Sequence, residues 1–195
     1  MTPSSQQGYS RTNIALHWLM LVLIVAVYAC MDLHDLFPKS SPIHDGLKTW
    51  HYMLGLTVFV LVWLRLLARV GRSTPPIEPK PPAWQESLAK LVHLLLYVFM
   101  IAMPLLGWLT LSAKGNPIPF WGFTLPHLIG QNKDLGKQIQ EVHETIATIG
   151  YFLIGLHAAA ALFHHYVQHD NTLRRMLSPR GEANGPKGQL RARIK

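Results

Sequence analysis

The chain has 195 residues, of which 49% are hydrophobic and only 14% charged, with a formal net charge of +8. An ordinary soluble domain is about 25% charged. The deficit here falls in long apolar runs separated by short polar segments, which is the pattern of a membrane protein. A single cysteine, Cys30, excludes an internal disulfide and zinc sites built from several thiolates, and the absence of a C-x-x-C-H segment excludes covalent c-type haem attachment. The length and the lack of an internal repeat favour one domain.

A spanning helix needs roughly 20 mainly apolar residues. Four runs qualify, at about 13–31, 48–70, 86–111 and 137–167. The first is long enough to span, and no small-residue cleavage site closes it, so it does not read as a cleaved signal peptide. The TPPIEPKPP segment at 74–82 is stiff and non-helical, and GNPIP at 115–119 punctuates the loop after the third run. Pro104 lies inside the third run and should kink it, as membrane helices tolerate. The fold expected is an all-α, four-helix transmembrane bundle occupying residues 1–183, with a polar, disordered tail at 184–195.

Basic residues set the direction. With both termini cytoplasmic, that side holds Arg11, Arg65, Arg69, Arg72, Lys80, Lys90 and seven more from Arg174 to Lys195, thirteen against five on the other side. The net charge therefore reads as topology and contact with anionic membrane lipid, and nucleic acid is a poor explanation for it. The five outer basic residues meet six outer acids, so no net positive outer face follows.

Eleven histidines are unevenly placed. His34, His44, His127 and His169 fall in loops or at helix ends, where solvated surface is the expectation. His17, His51, His93, His143, His157, His164 and His165 lie in or near apolar runs, where polar groups are costly and need a partner or a function. His143 and His157 are 14 residues apart in the fourth run. That is nearly four whole helical turns, so they share a face at two depths about 21 Å apart. Two haems stacked across the bilayer would suit such a spacing. Facing ligands at matching depth are His51 for His143, and His17 or His93 for His157. Bis-histidine iron has no open position, which suits electron transfer over oxygenation. Gly55 and Gly150 sit on the histidine faces, where a flat macrocycle or a close helix would need missing side chains. Arg65 and Arg69 stand where a guanidinium could meet an inner-haem propionate, with snorkelling to lipid as the alternative. His164 and His165 lie beyond His157, where a quinone or proton site is the sharper reading and an interfacial polar residue the bland one. The spans hold too few carboxylates for a histidine-lined metal transporter.

Several segments resemble the bacterial cytochrome b561 family: ALHWLM at 15–20, WHYMLG at 50–55, RLLARVGRSTPP at 65–76, GNPIPFWGFTLP at 115–126, HETIATIGYFLIGLHAAAALFHHY at 143–166 and DNTLRRML at 170–177. The resemblance implies a di-haem, four-helix protein of the bacterial inner membrane. It implies His17 and His157 as axial ligands of the inner haem b, and His51 and His143 as those of the outer one. The small members that this chain most resembles oxidise superoxide on the periplasmic side and pass the electron to ubiquinone. Related b-type cytochromes instead link a dehydrogenase or hydrogenase to the quinone pool. Short outer loops favour a self-contained protein over one docked to such a partner.

Overall fold

The computed structural model describes residues 9–71 and 74–177. The tail expected from 184 onward lies outside these residues. Four helices are long and apolar enough to cross a membrane: α1 (Arg11–His34), α2 (Pro42–Arg69), α3 (Ala83–Lys114) and α4 (Lys133–Tyr166). A short α5 (Arg174–Leu177) follows.

Each spanning helix begins before its apolar run, and side-chain caps set the start of α1, α2 and α4. The Ser10 hydroxyl accepts from the Asn13 N–H, Ser41 accepts from the Ile43 N–H with Pro42 as the first helical residue, and Asn132 accepts from the Leu135 N–H. The start of α2 is the largest departure from expectation. Ser41 and Pro42 carry the helix back over the polar turn around His44, which hydropathy assigns to a loop. α3 runs on past Pro104 and stops at Gly115, whose φ of 72° is a left-handed cap.

One element departs from an all-α fold. β1 (Ile118–Phe120) and β2 (Phe123–Leu125) form an antiparallel hairpin in the loop between α3 and α4. Its two central residues, Trp121 and Gly122, have φ of 45° and 90°, the signs that a tight hairpin turn needs. Ile118 is fully buried and packs with Leu56 and Leu111, while the Trp121 indole donates to the Thr57 hydroxyl at 2.9 Å. The hairpin is thereby fixed to α2 and α3.

α1 packs along α2 and α3 along α4, with α2 also facing α3. Met20, Val58, Val62 and Met100 form a buried cluster contributed by the first three helices. Large apolar side chains such as Val22, Leu94 and Phe152 stay exposed, as lipid-facing residues must. The segment after α4 ties the opposite end of the bundle together. Asp170 binds His164, the Asn171 side chain accepts from the Glu78 N–H, the Trp18 indole donates to the Met176 carbonyl, and Arg175 donates to the Pro75 carbonyl.

Candidate functional site

Two histidine pairs stand at the two ends of α4. At one end the rings of His17 (α1) and His157 (α4) lie 6.2 Å apart, centre to centre. At the other, His51 (α2) and His143 (α4) are also 6.2 Å apart. A six-coordinate iron between two trans imidazoles fixes this distance. Two metal–nitrogen bonds of about 2 Å, with each ring centre roughly 1.1 Å behind its nitrogen, give about 6.2 Å. Both pairs fit an iron held between them.

His93 competes with His17 for His157, and the geometry distinguishes them. Its ring centre is 5.2 Å from that of His157, about 1 Å too close for an interposed iron. Its Nδ1 donates to the Ala89 carbonyl one turn back, at 2.5 Å. That bond leaves the His93 Nε2 lone pair available, as in a metal ligand, so ring spacing is what separates the two histidines; His17 Nδ1 is buried with no hydrogen-bond partner among the described residues. Buried polar atoms are rarely left so without a reason.

Second contacts fit the same chemistry. His51 Nδ1 donates to the Val27 carbonyl at 3.0 Å. A carbonyl only accepts, so the proton is on Nδ1 and Nε2 presents its lone pair, as a metal ligand requires. The Met103 carbonyl is near His143, which makes no hydrogen bond of normal geometry with it. The glycines divide between the two readings. A Cβ at Gly150 would run into the Tyr28 hydroxyl and lie 2.5 Å from Phe99 Cζ, so Gly150 serves close packing between helices. A Cβ at Gly55 would meet nothing within 4 Å, and Gly55 shares the face of His51 one turn earlier. It leaves room for a flat group beside that pair.

Arg65 lies within electrostatic range of His17, His93 and His157, with its guanidinium 5.9 Å from the centre of the Tyr97 ring. Arg69 donates to the Tyr97 hydroxyl at 3.0 Å. The two arginines and Tyr97 thus form a polar cluster at the His17–His157 end. His164 is committed to Asp170 at 2.5 Å. His165 packs on Tyr166 and keeps a buried Nδ1 without a hydrogen-bond partner among the described residues. Lys114 donates to Gln140, and Lys137 lies 3.8 Å from Glu141.

His127 and His169 are exposed, as the sequence suggests. His34 and His44 are not: they are 8% and 5% exposed, and their rings are stacked. The early start of α2 is the cause, since it brings His44 in its first turn against the end of α1. The Ser-Pro pair at 41–42 is the sequence signal that would have revealed this.

The family model for prokaryotic cytochrome b561 matches residues 8–179. The chain is 44% identical over 172 residues to Cytochrome b561 homolog 1 of Escherichia coli strain K12, covering 88% of this chain and 98% of that protein. It is 37% identical over 169 residues to the Probable superoxide oxidase CybB of Yersinia pestis, covering 87% and 95%. It is 28% identical over 182 residues to Cytochrome b562 of Cereibacter sphaeroides, covering 91% and 99%. The chain therefore belongs to the prokaryotic cytochrome b561 family, multi-pass bacterial membrane proteins of transmembrane electron transfer that carry b-type haem.

Proposed function

We propose that this protein oxidises superoxide at the periplasmic face of the bacterial inner membrane and reduces ubiquinone, using two b haems. In this reading His17 and His157 hold the inner haem and His51 and His143 the outer one. The observation that carries the reading is the pair of 6.2 Å histidine spacings at the two ends of one helix. The similarity to the Probable superoxide oxidase CybB supports superoxide as donor.

When bound, the haems supply one-electron carriers at two depths; the rest is done by the protein's own side chains. His17 with His157 and His51 with His143 would each hold one haem, and two imidazoles on each iron would leave no place for oxygen. The Val27 carbonyl holds the His51 tautomer. Arg65 sits where it can neutralise a carboxylate beside the inner pair. An unshifted inner midpoint potential in Arg65→Gln would instead leave it to Tyr97 and lipid. We assign the quinone headgroup and its proton supply to His164 and His165, beyond His157; Asp170 holds His164 Nδ1 and leaves its Nε2 for that role. Slowed quinone reduction with both haems retained is expected in His164→Ala or His165→Ala, and unchanged kinetics in both would move the acceptor site elsewhere. The balance is two superoxide anions, one quinone and two protons giving two dioxygen molecules and one quinol.

The test uses the haem-loaded protein in vesicles whose orientation is known. Superoxide generated on the face away from the termini should drive quinone reduction, and superoxide confined to the other face should not. Inactivity from both faces would favour the alternative, a cytochrome b relay between a dehydrogenase or hydrogenase and the quinone pool. Activity from the terminal face alone would reverse the proposed orientation.

A further inference from the structure

The inward face of α1 carries a polar side chain that neither the helix cap nor the histidine pairs use. Asn13, His17 and Met20 recur at helical spacing, and Asn13 and Met20 are 8% and 1% exposed, so the three share the buried stripe of the helix. The Asn13 backbone N–H donates to the Ser10 hydroxyl, which leaves the Asn13 carboxamide outside the cap. Its Oδ1 is buried and has no hydrogen-bond partner among the described residues. One turn further on, His17 Nδ1 is in the same condition. Polar groups in or near a membrane span are costly and need a partner or a function. These two are complementary. A carboxamide oxygen accepts, and an imidazole whose Nε2 ligates iron carries its proton on Nδ1 and donates from there.

We propose that Asn13 is a positioning residue of the inner haem site: its side-chain oxygen accepts from His17 Nδ1–H and holds His17 in the tautomer and ring orientation that present Nε2 to iron. The inference rests on the reading of His17 as an axial ligand of the inner haem. Helix geometry brings the two side chains together. Residues four apart are neighbours on a helix, with Cβ atoms about 5–6 Å from each other. Helical side chains lean toward the N-terminus, so the His17 ring leans back over the turn that carries Asn13. Rotation about the Asn13 side-chain torsions then closes the bond without moving the backbone. The outer pair has a fixed acceptor of another kind, the Val27 carbonyl at 3.0 Å from His51 Nδ1. His93 Nδ1 is likewise occupied by the Ala89 carbonyl, four residues back on its own helix. At His17 the acceptor is a side chain, so a single substitution can remove it or strengthen it. An acceptor behind Nδ1 raises the basicity of the ligating nitrogen. That favours ferric over ferrous iron and lowers the midpoint potential. Removing the acceptor should therefore raise the potential of the inner haem, and a carboxylate in its place should lower it.

The experiment is a redox titration of the haem-loaded protein in detergent, with electron paramagnetic resonance of the ferric state, on the parent, Asn13→Leu, Asn13→Asp and His17→Ala. The haem lost in His17→Ala identifies the inner one. Asn13→Leu removes the acceptor at nearly the same volume. It should raise the inner midpoint potential and weaken retention of that haem about 10-fold or more, with the outer haem unchanged. Asn13→Asp should retain both haems, lower the inner potential below the parent's and shift the low-spin ferric signal of that haem alone. A merely structural asparagine would not move the two potentials in opposite directions. An inner potential and ferric signal unmoved in both variants overturn the proposal and leave His17 Nδ1 to a backbone acceptor. Should Asn13→Leu not fold, Asn13→Asp decides by the same criterion. His17→Ala separates this inference from the ligand assignment. Loss of one haem there, with unmoved Asn13 variants, defeats the role of Asn13 alone, whereas retention of both haems removes the ligand assignment and this inference with it.

Discussion

His17 and His93 differ by about one ångström of ring spacing to His157, and in the proposed reading that difference assigns the inner ligand to His17. With centres 6.2 Å and 5.2 Å from His157 respectively, only His17 leaves room for two metal–nitrogen bonds. His17→Ala should therefore lose about half of the haem absorbance, while His93→Ala keeps all of it; the reverse pattern in reduced-minus-oxidised spectra would assign the inner ligand to His93. Helical depth alone left these two residues open, because it resolves about a turn and the choice depends on an ångström; the family resemblance pointed to His17. Another residue-scale prediction concerns Asp170. Burial would raise its carboxyl, but bonds from the Thr172 N–H and from His164 outweigh burial and hold it below the usual carboxylate range. A carboxyl depressed in the folded state contributes stability above its unfolded pKa and loses it as pH falls through the folded value. Asp170→Asn should therefore melt several degrees below the parent at neutral pH, consistent with about 1.5–3 kcal/mol for hydrogen bonds to a charged group. The two melting curves should converge as the pH drops below the carboxylate range, and a pH-independent gap would count against this linkage.

Among the elements, α4 determines the site, since it carries one histidine of each pair on one face. Its periodicity was legible from sequence because 14 residues is so near a whole number of turns. The start of α2 was not, because a Ser-Pro cap extended the helix over a polar stretch that hydropathy treats as loop, and with it the burial of His34 and His44 was missed. The β1–β2 hairpin escaped for a related reason: a turn at Trp121 and Gly122 with positive φ at both residues lacks the Asn-Gly signature that usually announces it. Helix packing gives a contrast to test. Gly150→Ala should destabilise the bundle by about 1–3 kcal/mol, since its Cβ would be forced against Phe99 and the Tyr28 hydroxyl. Gly55→Ala should fold normally, whereas Gly55→Phe should fold but lose the outer haem. Thermal melts and haem content of the three proteins check this, and full haem retention in Gly55→Phe would place the macrocycle away from that face.

At the scale of the whole molecule, four spanning helices enclose a histidine pair at each end of the bundle, separated by the buried Met20, Val58, Val62 and Met100 cluster. Bundle and membrane class were legible because apolar run length is a coarse signal that loop detail cannot erase. The orientation rests on thirteen basic residues against five and so on sequence alone. The donor and acceptor are the least legible part. They depend on loop surfaces and on where exposed charges settle, and Lys114 and Lys137 are each turned to a neighbouring side chain. The central claim, two noncovalent haems each held by two histidines, is tested most directly by the haem-to-protein ratio of the purified chain. The account predicts two haems b per chain, both low-spin and both extracted completely by acid–acetone. One haem per chain, or haem retained after extraction, would contradict it.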